Sequence, residues 1–271
     1  MSTVESIEPP HYIETALVDG ICRLTLDYPG RRNALGDGMM AALQAALDAA
    51  GGDPAIKVVV IAAKGPAFCA GHDLKEMSAH RSGPDRGRAY FTDVFQRCAG
   101  LMTTIVRLAK PVIAEVRGVA TAAGCQLVAS CDLAVASQEA RFATPGVNIG
   151  LFCSTPMVAL SRAVGRKQAM EMLLLGDLID AATAKDFGLV NRVVPSDDLT
   201  ATTMALARQI AAKSPLTLKI GKEAFYRQAE VSLDEAYRMT SEVMVTNMLA
   251  RDAEEGISAF IARREPVWEG R

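Results

Sequence analysis

Aromatic side chains are scarce in this chain of 271 residues: Phe, Trp and Tyr together make up 5%, and there is a single Trp. Aliphatic residues must therefore fill the interior. Half of the residues are hydrophobic and 22% are charged, which is typical of a globular protein with a large core. An excess of positive charge is also missing, because the net charge is −2 and Lys and Arg are spread along the chain. We therefore expect no nucleic-acid partner.

Patterns typical of metal sites and disulfides are missing as well. The six cysteines form no CxxC pair and the three histidines are scattered, so we expect reduced, buried thiols and no bound metal. The GxSxG, GxxxxGK[ST] and GxGxxG fingerprints are also absent. The sequence therefore gives no indication of a hydrolase elbow, a phosphate loop or a dinucleotide site.

No segment resembles a membrane helix or a targeting peptide. The longest uncharged run, residues 142–161, contains prolines and glycines and predicts a buried loop and turn region instead of a membrane span. The first residues, MSTVESIEPPHY, are acidic and lack the apolar or Arg-rich pattern of a targeting peptide. We therefore expect a cytoplasmic protein without a membrane partner.

The N-terminal elements are predicted from hydrophobic patterning. IETALV and ICRLTLD alternate around an Asp-Gly pair at 19–20, which is typical of a two-residue hairpin turn. A helix is predicted over residues 38–50, since apolar residues recur on one face and two glycines follow. The nearly continuous apolar run IKVVVIAA, residues 56–63, predicts a strand that is buried on both faces.

Two segments of the chain are similar to each other. VVIAAKGPAFCAGHDL, residues 59–74, and VIAEVRGVATAAGCQL, residues 112–127, share an initial Val, a central basic residue followed by Gly, and an Ala-Gly-x-x-Leu ending. Each predicts a strand, a glycine bend and the start of a helix. Such self-similarity indicates stacked ββα-type units of an α/β fold, with chance similarity as the alternative.

The C-terminal part has a different character. Residues 197–264 follow helical spacing, with Ser214 and Ser232 as helix-start signals. We therefore predict a mixed α/β core over residues 1–199 and a helical region over residues 200–271.

The two predicted bends have a possible chemical use. Backbone N–H groups at a helix start lack intrahelical partners, and the helix dipole favours negative charge there. Two such starts facing each other could form an oxyanion hole, which a substrate carbonyl could approach because the side chains are small. Tight packing of strand on helix is the alternative explanation for this composition. The small residues concerned are Ala70, Gly71, Ala122, Ala123 and Gly124.

Four segments together carry a resemblance to a known family. AFCAGHDLKEM (67–77), KPVIAEVRGVATAAGCQLVASCDLAVAS (110–137), AVGRKQAMEMLLLGDLIDAATAKDFGLVNRVV (163–194) and EGISAFIARREP (255–266) resemble the enoyl-CoA hydratase/isomerase, or crotonase, family in one collinear order. The resemblance implies a crotonase-like spiral of ββα units with a C-terminal helical oligomerisation region. It also implies a homotrimer, or a hexamer made of two trimers, and an acyl-CoA thioester as substrate, with no cofactor besides the CoA of that substrate.

The resemblance also implies the site residues. The thioester carbonyl would lie between the backbone N–H groups of His72 and Ala123. Arg32 and Ala34 match the stretch that meets the nucleotide end of CoA, and Phe260 and Arg263 match positions that contact adenine and phosphate. For each of these four, an ordinary surface or core role is the alternative. The further substrate-binding candidates around the donors are Ala70, Asp73, Leu74, Gly124 and Cys153.

The chain departs from the hydratases of this family at two positions. Hydratases carry one glutamate where this chain has Gln126 and a second where it has Gly146. Neither residue exchanges a proton at neutral pH, so hydration by the usual route is doubtful. The candidate replacements near the acyl pocket are Asn148 and Cys153, together with Gln126 as a hydrogen-bond donor or water holder. A binding role or a satisfied buried amide is the alternative for Gln126. Glu115 is expected to face outward or toward another subunit.

Three readings of function remain. The first is an acyl-CoA enzyme of this family with altered or weak hydratase activity, the second a non-catalytic acyl-CoA-binding protein, and the third an oligomeric scaffold. The GLFCSTP stretch, residues 150–156, is similar to the branch of the family called the enoyl-CoA hydratase domain-containing 3 type.

Overall fold

The structure is a computed structural model and describes residues 11–271. Residues 1–10, which carry most of the N-terminal segment behind the location prediction, lie outside the described range. Within that range, the strands form two sheets. They are β1 (Ile13–Val18), β2 (Ile21–Leu26), β3 (Val58–Ala63), β4 (Ala67–Cys69), β5 (Val112–Val116), β6 (Val119–Thr121), β7 (Leu133–Ser137), β8 (Arg141–Ala143), β9 (Ile179–Asp180) and β10 (Arg192–Val194).

The six-stranded sheet has the order β1-β2-β3-β5-β7-β10, and the four-stranded sheet has the order β4-β6-β8-β9. The larger sheet is parallel apart from the β1–β2 hairpin. In the smaller sheet only β9 runs antiparallel to its neighbour. Successive strands from β3 to β8 alternate between the two sheets, so the chain winds as a spiral of ββα units.

Helices surround the sheets and make up most of the C-terminal part. In the described range they are α1 (Asp37–Gly52), α2 (Leu74–Ala79), α3 (Arg88–Arg107), α4 (Ala123–Ser130), α5 (Pro156–Ala163), α6 (Arg166–Leu175), α7 (Ala181–Phe187), α8 (Leu199–Ala211), α9 (Pro215–Gln228), α10 (Leu233–Met248) and α11 (Arg251–Ala262). No helix of this range is both long and apolar enough to cross a bilayer.

The N-terminal predictions are confirmed. β1 and β2 pair antiparallel around Asp19 and Gly20, whose φ angles of 53° and 75° suit the tight turn that joins twisted strands. The predicted helix corresponds to α1, which buries Leu43 and Leu47 against the core. β3 is buried along almost its whole length because it lies in the middle of the larger sheet.

The sequence repeat corresponds to neighbouring parallel strands. Val59 of β3 lies opposite Val112 of β5, so the strand register has the same offset of 53 residues as the two similar segments. β4 pairs with β6 in the other sheet, and helices α2 and α4 follow. The predicted ββα units are confirmed, and chance similarity does not explain the repeat.

Helices α8 and α9 join the C-terminal helical part to the core. α8 packs on the larger sheet, where Leu199, Leu206 and Ala207 join a buried cluster with strand residues. α9 is held through Lys222, whose ammonium donates to Asp132 at 2.7 Å and to the carbonyl oxygens of Ile105 and Lys110 at 3.0 Å each. The division of the chain near residue 200 stays a prediction.

Two expectations about burial are wrong. The run 142–161 contains loops and turns but also the end of β8 and the start of α5, and Ile149 is 58% exposed, so the region is neither a loop nor buried throughout. Glu115 is 4% exposed and does not face outward. Its carboxylate accepts hydrogen bonds from Arg23 at 2.6 Å and Thr200 at 2.9 Å, since a buried charge needs such partners. Glu115 thereby joins β5 to β2 and α8.

All six cysteines are free and buried, as predicted. Burial raises the pKa of the Cys69 and Cys125 thiols to about 12 and that of Cys98 to about 11. These thiols therefore stay protonated and pack as small apolar groups.

Candidate active site

The two predicted bends meet in the structure. A methyl group placed on Gly71 would lie 2.9 Å from the Cβ of Ala122 and 3.3 Å from the backbone nitrogen of Ala123. The first bend joins β4 to α2 and the second joins β6 to α4, and the pairing of β4 with β6 brings them side by side. His72 directly follows Gly71, so the two candidate donor residues lie on adjacent turns.

Both bends have backbone angles that ordinary residues avoid. Gly71 has φ +86°, which costs glycine nothing. Ala122 has φ 51° and ψ −118°, the conformation in which a tight turn of type II′ normally places glycine. Such a strained residue persists only where the surrounding structure enforces it, and it is typical of functional sites. The strained residue lies directly before Ala123, the first residue of α4.

Packing explains why a glycine, Gly124, lies in the first turn of helix α4. A Cβ at this position would lie 2.0 Å from the carbonyl oxygen of Cys69. Helix α4 therefore packs directly on the backbone of β4, and no larger residue fits. Tight packing therefore explains this glycine, and donor placement stays a prediction.

The N–H groups of His72 and Ala123 have no hydrogen-bond acceptor among residues 11–271. Their neighbours are paired: the Ala70 N–H donates to the carbonyl of Arg32 at 3.1 Å, and the Ala122 N–H donates to that of Ala143 at 2.9 Å. Ala123 is the first residue of α4, where an N–H lacks an intrahelical partner and the helix dipole is positive. Two free donors on adjacent turns can bind one oxygen that gains negative charge.

The ring of His72 contacts Leu35 and Phe95, and these contacts hold it away from the two backbone donors. Its Nδ1 donates to the carbonyl of Leu35 at 3.2 Å, and the ring packs edge-on against Phe95 with 5.6 Å between centroids. Burial lowers the pKa of His72, so the imidazole is neutral near pH 7. Its Nε2 is buried and has no partner among the described residues.

Gln126 lies in α4, one turn after Ala123. Its side chain is 4% exposed, and its Oε1 has no hydrogen-bond partner among residues 11–271. The backbone N–H of Gln126 donates to the carbonyl of Ala122 at 3.0 Å. Position 126 of α4 thus carries a buried neutral amide and no proton carrier.

The position of Gly146 is closed to side chains. A Cβ on Gly146 would lie 2.8 Å from the carbonyl oxygen of Leu151 and 2.9 Å from the Sγ of Cys153. Cys153 is buried, and burial raises the pKa of its thiol, which leaves it uncharged. The chain after Gly146 therefore fills the space that a second glutamate would need.

Asn148 does not join this group. It lies in a short 3-10 helix, Pro145–Ile149, is exposed, and donates through Nδ2 to the carbonyl of Gly176 at 3.4 Å. Among the described residues no hydrogen bond connects it with Gln126. Its catalytic role stays a prediction that this geometry does not support.

Asn33 holds the loop of the candidate residues Arg32 and Ala34 in place, and sequence reasoning missed it. Its amide donates to the carbonyl oxygens of Lys64 at 2.9 Å and Ala67 at 2.8 Å, and its Oδ1 accepts from the N–H of Tyr28 at 2.8 Å. Asn33 is fully buried with φ 52°. Its position between Arg32 and Ala34 was visible in the sequence, but a polar residue in a loop gave no signal of burial.

A pocket of about 420 Å³ lies next to the first bend. Ala34 and Asp73 are in its wall, and Asp73 also caps α2 by accepting from the N–H groups of Lys75 and Glu76. Arg31 forms an ion pair with Asp73 at 3.3 Å. The residues in the wall are Tyr12, Tyr28, Arg31, Ala34, Gly36, Gly38, Met39, Asp73, Lys75 and Glu76. The wall thus combines two tyrosine rings with two cations and two carboxylates.

The remaining candidates lie at the surface. Arg32 and Leu74 are exposed on either side of the first bend, and Ala70 is half-buried. Phe260 is 85% exposed, and Arg263 caps the end of α11 in the left-handed conformation. The described hydrogen bonds do not join either C-terminal residue to the loop of Arg32. No cluster of metal-ligating side chains occurs among residues 11–271.

Comparison with known proteins decides the family. The model of the family described as enoyl-CoA hydratase/isomerase matches residues 17–271. The chain belongs to the enoyl-CoA hydratase/isomerase family. Mitochondrial enoyl-CoA hydratase domain-containing protein 3 of Xenopus laevis is 51% identical to it over 92% of this chain and 83% of that protein. The branch resemblance is thereby confirmed.

Solved structures of this family share the fold. An enoyl-CoA hydratase structure from Mycobacterium smegmatis matches with a TM-score of 0.91 and 49% identity, and covers 96% of this chain and 99% of that one. The structure of human enoyl-CoA hydratase domain-containing protein 3 matches with a TM-score of 0.89 and 47% identity, and covers 95% and 100%. The predicted crotonase-like α/β fold is confirmed.

The comparison corrects the location prediction. The relatives from Xenopus laevis, Homo sapiens and Mus musculus are all named mitochondrial. The expectation of a cytoplasmic protein, drawn from the composition of the first residues, is therefore wrong. The composition of the first residues is a weak guide to location. Closely similar proteins need not share the N-terminal features on which targeting depends.

Proposed function

We propose that this protein binds an acyl-CoA thioester and stabilises its enolate in an oxyanion hole. The carbonyl oxygen would accept hydrogen bonds from the backbone N–H groups of His72 and Ala123. The proposal depends on one observation above all: two turns with unpaired donors lie in direct contact around Gly71. A donor of this kind typically contributes about 3–4 kcal/mol toward the transition state.

The reaction at this site differs from hydration by paired glutamates. General acid-base assistance is worth about 10²- to 10⁴-fold for each group, and neither Gln126 nor Gly146 supplies it. Efficient hydration is therefore not expected. A reaction that forms the thioester enolate by loss of carbon dioxide from a carboxylated acyl chain needs no base for an α-proton, because the electron pair of the broken C–C bond becomes the enolate and solvent then protonates it. Such a reaction can draw on the oxyanion hole alone.

The coenzyme would extend from the donors into the pocket beside the first bend. Arg32 and Ala34 would meet its nucleotide end, and Ala70, Asp73 and Leu74 would flank the pantetheine arm. Phe260 and Arg263 would contact adenine and phosphate. Gly124 and Cys153 would line the acyl end. No cofactor is required besides the CoA of the substrate.

A homotrimer, or a hexamer of two trimers, is part of the same proposal. Leu249, Phe260 and Ile261 of the C-terminal helices are 82%, 85% and 75% exposed in the single chain. Exposed apolar surface of this extent is typical of an interface. Light scattering at several concentrations tests the assembly.

A second candidate is an acyl-CoA-binding protein without catalysis. The neutral amide of Gln126 and the closed position of Gly146 favour it, because the donors alone bind a thioester without moving a proton.

Calorimetric titration with CoA, acetyl-CoA and crotonyl-CoA tests both candidates together. If none of the three binds at millimolar concentration, both are wrong and a scaffold remains. Turnover of crotonyl-CoA then separates the enzyme from the binding protein, and hydration at the usual rate of the family would contradict the argument from the missing glutamates.

A further inference from the structure

Strand β1 is an exposed edge of the larger sheet. It is the first strand in the order of that sheet, and among residues 11–271 it pairs only with β2. Residues 14–18 are all exposed, and the exposed fractions of Leu17 and Val18 are 50% and 49%. Since successive residues of a strand point to opposite faces, β1 is open to solvent on both faces and along one edge. A further strand could pair with it there.

Every second residue of β1 directs its backbone N–H and C=O groups to this edge. The N–H of Asp27 donates to the carbonyl of Tyr12 at 2.8 Å, so the backbone of Tyr12 faces β2. The direction of these groups alternates along an antiparallel strand, so the even-numbered residues of β1 also face β2. Their backbone neighbours have no partner strand at the edge within residues 11–271. These edge-facing residues are Ile13, Thr15 and Leu17.

This edge has none of the features by which proteins commonly keep edge strands apart, such as lysine, proline, a bulge or a very short strand. β1 is six residues long, contains neither Lys nor Pro, and pairs with β2 without a bulge. Its one charged residue, Glu14, forms an ion pair with Lys64 at 2.6 Å. By contrast, β10 at the opposite edge of the sheet has three residues and contains Arg192. The edge of β1 is therefore suited to pairing with another strand.

The sequence of β1 suits pairing with a second copy of itself. In an antiparallel pair centred on Thr15, Thr15 opposes its own copy and Ile13 opposes Leu17. All edge-facing residues then form hydrogen-bonded pairs. Pairs of threonines and of aliphatic residues across strands are favourable. Glu14 opposes Ala16 in this register, so no like charges of the two strands face each other.

The residues that flank β1 are complementary in the same register. His11 precedes the strand, Asp19 follows it, and both are exposed. Antiparallel pairing centred on Thr15 places His11 of one copy opposite Asp19 of the other. An imidazolium and a carboxylate attract each other, so each end of the contact brings together groups of compatible charge.

We propose that β1 pairs antiparallel with β1 of a second copy of this chain, across a two-fold axis at Thr15. The larger sheets of the two chains then form one continuous sheet, and each edge-facing N–H and C=O of β1 has a partner. Such a contact uses the same surface on both copies and closes without leaving an edge for a third. The proposal goes beyond the proposed function and does not depend on thioester binding. If the C-terminal helices form a trimer, the same pairing joins two trimers.

Analytical ultracentrifugation of the full-length protein tests the pairing. The wild-type particle is expected to contain an even number of chains, and Thr15→Pro is expected to halve its mass. Proline removes the edge-facing N–H of residue 15 but no hydrogen bond to β2, so an edge strand tolerates it. Thr15→Val keeps that N–H and is the matched control, which should have the wild-type mass. An odd number of chains in the wild type, or an unchanged mass of Thr15→Pro, would overturn the proposal.

Charge variants test the register and the identity of the partner. Thr15→Lys and Thr15→Glu should each have half the wild-type mass, because like charges then meet at the two-fold axis. A one-to-one mixture of the two should regain the full mass. If the mixture does not regain it, β1 does not meet β1 at Thr15. If the wild-type protein doubles its mass only after removal of residues 1–10, that segment is the occupant of the edge; either result overturns the proposal.

The proposed function is tested separately. Thr15→Pro should bind crotonyl-CoA as tightly as the wild type in calorimetry, because Thr15 is not among the residues assigned to the thioester or the coenzyme. Absence of thioester binding in both proteins would contradict the proposed function and leave the mass ratio to decide the pairing of β1.

Discussion

Gly71 and Ala122 lie so close that a methyl group on Gly71 would come within 2.9 Å of the Ala122 Cβ. The two halves of the sequence repeat touch at this point. The gap between the candidate donors has no room for a side chain, and its width determines whether an oxygen can reach both N–H groups.

Gly71→Ala is expected to close this gap and weaken binding of crotonyl-CoA at least tenfold, as measured by calorimetry. It should also lower the free energy of unfolding by about 2–4 kcal/mol, since left-handed strain and overpacking add. Gly150→Ala is the matched control, because Gly150 also has positive φ but no atom lies near its Cβ position. That control should lose about 1–2 kcal/mol and keep full binding. Equal binding by both variants would contradict the role of the gap.

Gly124→Ala is expected to be among the most destabilising single changes in the core. Its Cβ would clash with the backbone oxygen of Cys69, which cannot move without shifting β4. We expect a loss of about 3 kcal/mol or more in urea unfolding. Gly100→Ala in α3, where nothing lies near the Cβ position, should instead gain about 0.5–1 kcal/mol. A Gly124→Ala protein as stable as wild type would show that α4 does not pack on β4.

The pH dependence of stability should report on His72. Burial lowers its pKa in the folded protein, so between the unfolded value near 6.5 and the lower folded value the unfolded chain binds more protons. Stability from this group is present above pH 6.5 and is lost as the pH falls through that window. His72→Gln should flatten the dependence of the unfolding free energy on pH between 7 and 5, by up to about 1.4 kcal/mol per pH unit.

Gly146→Glu is not expected to restore hydration, even together with Gln126→Glu. The side chain would meet Leu151 and Cys153, so the double variant should melt well below Gln126→Glu alone. Adding Cys153→Ala removes the Sγ contact and should recover part of the difference. Differential scanning fluorimetry measures the melting temperatures, and a crotonyl-CoA assay measures hydration. A double variant that is as stable as wild type and hydrates crotonyl-CoA would show that the loop opens.

Lys222→Met should detach α9 from the core edge. The side chain of Lys222 is 7% exposed, and its loss leaves Asp132 without its cation. Breaking such a buried pair costs about 3–5 kcal/mol. Lys219→Met, on the exposed face of the same helix, should stay within about 0.5 kcal/mol of wild type. Chemical denaturation of both variants is the measurement, and equal stabilities would contradict the anchoring role.

Local signals in the sequence specify several features, which could therefore be predicted: the hairpin, α1, the ββα units and the contact of the bends. An Asp-Gly turn, helical spacing and a repeat with a constant offset each follow from the properties of nearby residues. Stacking of two similar units then places equivalent turns side by side.

The environments of single polar residues could not be predicted in the same way. Glu115 is buried because of Arg23 and Thr200, which are 92 and 85 residues away in sequence. The side-chain position of Gly146 is blocked by Leu151 and Cys153. Their placement depends on the path of an irregular segment whose sequence has no periodicity. Such details arise from tertiary packing, which short-range patterns do not encode.

The loop of Arg32 to Leu35 is bonded to the first bend through its backbone at two places and through the His72 ring at a third: Arg32 accepts from Ala70, Gly71 accepts from Leu35, and His72 donates to Leu35. Asn33 adds a further link to β4. The loop that would bind the nucleotide end of CoA and the bend that would bind the thioester carbonyl are therefore connected as one rigid body. A ligand that docks at one end needs no hinge motion to be correctly placed at the other.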